Sequence, residues 1–156
     1  MDRVLFLCSA NYYRSRFAEY FFNHLAEANA LRCRADSCGL MVGFWGNIGP
    51  ISHCAVDGLK ARGVPIDGVC REPRQVTEAD FAAADLVVAV KEDEHRPMMR
   101  RLFPQWADAI EYWHIDDLDC AQPEEALPLL EDKVRALVAR FGMPQSYAGE
   151  KDEHGN

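Results

Sequence analysis

Two short runs without a polar residue, Val4-Leu5-Phe6-Leu7 and Leu86-Val87-Val88-Ala89-Val90, most narrow what this chain can fold into. A strand with one wet face alternates apolar and polar residues, whereas a strand covered on both faces reads as continuous apolar sequence. Helical patterns alternate with these runs, which predicts a parallel α/β sheet with helices packed on it. Strands are expected at 3–7, more weakly at 32–38, then at 86–90 and 110–115. Phe17, Phe21, Leu25 and Ala28 recur at helical spacing, predicting a helix over 15–30. Ser52 reads as the cap of a short helix ending at Gly63, and Thr77-Glu78-Ala79-Asp80 as a capping signal for another. A helix over 92–103 must place Pro97 in its first turn or kink there. Pro123 opens a final helix whose stripe Leu127, Leu130, Val134, Leu137 and Val138 continues to Phe141, with Gly142 and Pro144 ending it. Residues 1–142 are expected to form one domain, and the polar segment 143–156 a disordered tail.

Composition bounds the partners. The chain has 156 residues, 49% of them hydrophobic, enough to bury a layered core without metal or disulfide support. Its net charge of -8 argues against nucleic acid or an anionic membrane surface as a partner. An anionic substrate must therefore be captured by local geometry. No apolar run reaches membrane-spanning length and the first apolar run is too short for a signal peptide, so a cytoplasmic location is expected. The six cysteines contain no C-x-x-C pair and are expected to be reduced. Cys33, Cys38, Cys54, Cys70 and Cys120 read as small buried hydrophobes, and no metal site is expected.

Cys8 is different, because it ends the first strand directly before a helix. Ligands of parallel α/β sheets bind at the carboxyl ends of strands, beside the next helix N-terminus. The backbone of Ser9, Ala10, Asn11, Tyr12, Tyr13 and Arg14 can curl there into an anion-binding nest. The helix end and Arg14 both favour a Cys8 thiolate over the thiol, giving a nucleophile beside a bound phosphate. Arg14 presents a planar fork that fits two phosphate oxygens, which lysine cannot reproduce. Ser15 is placed to donate to the Cys8 sulfur, or simply to cap the helix. A leaving oxygen also needs a proton donor, and Asp116, Asp117 and Asp119, just after the last expected strand, are as readily donors as solvated loop acids.

The opening Val4-Leu5-Phe6-Leu7-Cys8-x-x-Asn11-x-x-Arg14-Ser15-x-x-Ala18-Glu19 resembles that of the low-molecular-weight protein tyrosine phosphatases, and the order of elements is similar to about Phe141. Ser37-x-Gly39, Arg74-Gln75 and Asp85-Leu86-Val87 resemble further landmarks. The resemblance implies a three-layer, flavodoxin-like fold with a four-stranded parallel sheet flanked by helices. It implies phosphomonoester hydrolysis through a phosphocysteine on Cys8, without cofactor or metal. Arg14 would clamp phosphate, Asn11, Ser15 and Ser37 would support the loop, and Asp117 would be the general acid and base. The implied partners are a phosphorylated protein or small aryl phosphate, with inorganic phosphate and other oxyanions as ligands.

This chain departs from the pattern in places. Ala10 stands for a usual glycine, which raises the prospect of strain at positive φ. Tyr13 replaces a second cysteine found in many members, so an oxidised Cys8 is expected to overoxidise rather than be protected as a disulfide. Leu118 replaces a usual proline after the acid, and the aromatics that follow it in the family are missing. Tyr12 and Trp45 are expected to form a substrate wall instead, with Phe44 packed in the core. Arg71 stands where many eukaryotic members have histidine. Two rival functions fit less well: a thioredoxin-coupled arsenate reductase, disfavoured because no cysteine lies between Arg71 and Asp119, and a phosphate-binding module without turnover, which has no use for a nucleophile paired with an acid.

Overall fold

Successive residues of the first strand, β1 (Asp2–Cys8), point to opposite faces of the sheet, and both faces are dry. Val4, Phe6 and Cys8 join one buried cluster with Phe17, Phe21, Phe22 and Leu130, whereas Leu5 and Leu7 join another with Leu40, Phe81 and Met99. This two-sided burial is why the strand carries no polar alternation. The computed structural model describes residues 2–66, 70–116 and 123–142.

The chain continues through α1 (Arg14–Ala28), β2 (Cys33–Gly39), α2 (His53–Ala61), α3 (Glu78–Ala83), β3 (Leu86–Ala89), α4 (Glu92–Leu102), β4 (Glu111–Tyr112) and α5 (Pro123–Gly142). The four strands are parallel in the order β2-β1-β3-β4. The first cluster packs under α1 and α5 and the second under α3 and α4, giving the expected three layers. The order turns at β1 and β3, whose carboxyl ends therefore border the crevice where such sheets hold ligands.

Local signals explain most boundaries. The Ser52 hydroxyl accepts from the Cys54 N–H at 3.1 Å and so caps α2. Asp80 accepts from the Thr77 N–H at 2.8 Å at the start of α3. Pro97 lies inside α4, beyond its first turn. The last strand is shorter than expected: Trp113 and Ile115 still donate to Ala89 and Val90 carbonyls, but the Trp113 carbonyl accepts from the Glu92 N–H of α4. Regular pairing stops there because the neighbouring helix start takes the acceptor.

Two expectations are corrected. Phe44 is not a core residue, since it is 73% exposed on the loop after β2. Cys54 is disulfide-bonded, so the six cysteines are not all reduced, while Cys8, Cys33, Cys38 and Cys70 are free. Among the described residues, no helix is long and apolar enough to cross a membrane. The tail at 143–156, along with Asp117, Asp119 and Cys120, lies outside the described residues.

Candidate active site

Cys8 is the last residue of β1 and Arg14 the first of α1, so the intervening loop wraps the end of a strand and opens onto a helix N-terminus. Asn11 holds the turn, with φ 55 and no exposed surface. Asparagine tolerates this left-handed conformation, and its amide is fully used here. Nδ2 donates to Ser15 Oγ at 2.8 Å and Ser37 Oγ at 2.9 Å, while Oδ1 accepts from Arg71 Nη1 and the Arg74 N–H, both at 3.0 Å. The strain at Ala10 does not arise, because the positive φ of the loop falls on Asn11.

Ser15 Oγ lies 3.0 Å from Cys8 Sγ. Asn11 donates to one lone pair of that oxygen, and the Ser15 hydroxyl keeps its own proton to offer to the sulfur. Ser37 Oγ donates to Glu19 at 2.6 Å, and Arg71 Nη2 binds the Glu19 carboxylate at 3.1 Å and the Ser37 hydroxyl at 3.0 Å. Arg71 thus ties α1 and β2 to Asn11, which gives its guanidinium a use that an imidazole with two nitrogens could not match. Burial pushes the Glu19 carboxyl up, against the Ser37 hydrogen bond and the Arg71 charge.

Backbone contacts fix the loop from the other side. Leu40 and Met41 N–H groups donate to the Cys8 and Ser9 carbonyls, each at 2.9 Å. This close approach requires glycine at 39: a Cβ there would lie 2.8 Å from the Ser9 carbonyl oxygen and 3.1 Å from the Ala10 carbonyl carbon. Gly39→Ala is expected to displace the loop and lower kcat/KM by ~10²-fold, the scale of an ångström-sized misplacement. Steady-state kinetics beside a thermal melt check this, with activity falling much further than stability.

Arg14 is 4% exposed, donating from Nη1 to the Ile115 carbonyl at 3.1 Å and from Nη2 to Glu94 at 3.2 Å. Glu94 also accepts from the Ser9 hydroxyl, and His95 Nε2 lies 3.1 Å from Ser9 Oγ. The Lys91 N–H donates to His95 Nδ1 at 3.1 Å, which leaves the ring proton on Nε2, facing Ser9. Hydrogen bonding to His95, then to Ser9, together with the Arg14 charge, holds the Glu94 carboxyl down at about 2 despite its partial burial. Its folded value lies below the ordinary 4.5, so its stabilisation is present above about pH 4.5 and disappears as pH falls through about 2. Melting temperatures across that window should fall less in Glu94→Gln than in the wild type.

Cys8, Ser9, Ala10, Tyr12, Tyr13 and Arg14 line one cavity of about 380 Å³, with Trp45 and Glu94 on its walls. Tyr12 donates to the Ile48 carbonyl and Trp45 to the Met41 carbonyl, each at 2.6 Å, which pins both rings beside the opening. Asn11, Ser15 and Ser37 lie behind the loop, buried. Asp116 is paired with Lys91, whose ammonium holds its carboxyl below the usual range, while its side chain is 79% exposed. A larger cavity of about 440 Å³, near Leu25, Arg135 and Val138, has no nucleophile among the described residues that line it.

The model of the family described as low molecular weight phosphotyrosine protein phosphatase matches residues 3–143. The chain belongs to that family. Among curated proteins of this phosphatase family, the low molecular weight protein-tyrosine-phosphatase YfkJ of Bacillus subtilis (strain 168) is 35% identical over 92 residues, 58% of this chain and 56% of that protein. The crystal structure of YfkJ from Bacillus subtilis has a TM-score of 0.77 at 26% identity, covering 91% of this chain and 95% of that one. The phosphatase from T. tengcongensis has a TM-score of 0.76 at 25% identity, covering 90% and 99%. Sequence reasoning anticipated Cys8, Arg14, Ser15, Asn11, Ser37, Tyr12 and Trp45 at one place, and missed Glu94, His95, Glu19 and the use of Arg71. The signal for Glu94 and His95 was their position just past the carboxyl end of β3, the sheet edge that also carries Cys8.

Proposed function

We propose that this protein is a cysteine-dependent phosphomonoesterase that removes phosphate from phosphotyrosine in proteins, and from small aryl phosphates, in the cytoplasm. The observation that carries the reading is that Cys8 lines the same cavity as the buried Arg14 guanidinium, with the Ser15 hydroxyl behind the loop at 3.0 Å from Cys8 Sγ. Cys8 Sγ attacks phosphorus in line, forming an S–P bond as the bond to the leaving oxygen breaks. Arg14 and the N–H groups of the loop hold the equatorial oxygens as their charge redistributes. Ser15 donates to the sulfur before attack and again when it departs.

Asp117 protonates the leaving oxygen, then takes a proton from the water that attacks the phosphocysteine, releasing inorganic phosphate and restoring the thiolate. The Lys91 pairing, which holds the Asp116 carboxyl below its usual range, supports this choice over Asp116. Tyr12 and Trp45 supply an apolar wall for the substrate ring. An arsenate reductase relay would need a resolving thiolate, and burial pushes the free Cys38 thiol up to about 12. Hydrolysis of para-nitrophenyl phosphate in the presence of a chelator tests the reading, with Asp117→Ala slowing poor leaving groups more than Asp116→Ala does. Absence of turnover from folded protein that binds phosphate would refute it in favour of a binding module.

A further inference from the structure

Glu94 has an unusual place for a carboxylate. It is the third residue of α4, yet its side chain reaches the phosphate loop and lines the same cavity as Cys8 and Arg14. Both oxygens lie 3.2 Å from Arg14 Nη2, and the Ser9 hydroxyl donates to one of them. His95, wholly buried, braces the Ser9 end and lies 3.4 Å from the carboxylate. The carboxylate is thus fixed rather than swinging in solvent. Among the described residues lining the cavity, Arg14 is the cation and Glu94 the anion.

An oxyanion bound by Arg14 shares one guanidinium with this carboxylate and sits within a few ångströms of it. Like charges at that separation, partly shielded from water, repel strongly. A second effect has the opposite sign: Glu94 restrains Arg14, and restraint favours binding by reducing the entropy lost. The charge effect acts on every negative charge of the ligand, whereas the restraint is modest because the Ile115 carbonyl also holds Arg14. The charge effect therefore dominates for a phosphate dianion.

We propose that Glu94 is a specificity-determining residue that sets the pocket's discrimination among anions, weakening oxyanions according to their charge so that inorganic phosphate does not accumulate in the site. Glu94 makes the pocket a poor store of its own product while leaving the loop and Arg14 in place. This inference rests on the phosphate-binding reading of Cys8 to Arg14. Its distinguishing feature is a gain of affinity on removal of a side chain that pairs with the phosphate clamp.

The test is the inhibition constant of inorganic phosphate against para-nitrophenyl phosphate hydrolysis, at one neutral pH, for wild type, Glu94→Asp, Glu94→Gln and Glu94→Ala. Thermal melts first establish that each variant is folded. Glu94→Gln keeps the volume and an acceptor for Ser9, so it folds even where Glu94→Ala does not. The neutral variants should bind phosphate ~10-fold more tightly, a change of order one charge-charge contact near a protein surface. Glu94→Asp should stay near the wild type. A merely structural role predicts weaker binding in every variant, and that result, or an unchanged constant in the neutral ones, overturns the inference. A wild type without hydrolysis or phosphate binding refutes the proposed function as well, whereas an active wild type with no gain in the variants refutes this inference alone.

Discussion

Cys8→Ser is expected to bring para-nitrophenyl phosphate hydrolysis down to background while the protein still binds inorganic phosphate. A serine hydroxyl is far from ionised at neutral pH, and Ser15 alone is no general base that could activate it. The loop is held by other groups: the Asn11 amide bonds, the Leu40 and Met41 N–H groups on the Cys8 and Ser9 carbonyls, and Arg14. None of these depends on the sulfur. Phosphate binding is read by protection against thermal unfolding, which grows with ligand concentration in any protein that binds only when folded. A variant that lost both turnover and phosphate protection would indicate a collapsed loop rather than a missing nucleophile.

Arg14→Lys is expected to lower kcat/KM by ~10³-fold, on the scale seen when a charged clamp on a transferring phosphoryl group is lost. The charge survives, so an account based on net charge alone predicts a small effect. Geometry predicts the large one. The guanidinium donates simultaneously to the Ile115 carbonyl and to Glu94, which orients its plane inside the cavity. A lysine ammonium cannot make these contacts and also present a fork to two phosphate oxygens. Most of the loss should fall on kcat, because the contacts tighten as charge spreads in the transition state. A loss confined to KM would mean that Arg14 binds substrate and transition state equally.

The site's centre was legible because chain order alone places Cys8 to Ser15 between a doubly buried strand and a helix. Strand Val4 to Leu7 has no polar residue, and that pattern has few other solutions. Phe44 was misread for a physical reason: Gly43, Gly46 and Gly49 all adopt positive φ, turning the loop outward and leaving the ring in solvent. The bonding state of Cys54 was not legible, since spacing does not fix disulfide connectivity. Glu94 was hidden for another reason. Glu92-Asp93-Glu94 at a helix start reads as acids favoured by the helix dipole, and nothing in the spacing tells which one turns inward. Arg71 was invisible as a brace because its partners Asn11, Glu19 and Ser37 all lie far before it in the chain.

The most direct measurement is acid quenching of the enzyme within its first turnovers of an aryl phosphate, followed by peptide mapping of any covalent phosphate. Stoichiometric phosphorylation is expected on the Cys8 sulfur, accumulating further in Asp117→Ala, where the attacking water loses its base. Full hydrolysis with no phosphate on Cys8 at any time would contradict it.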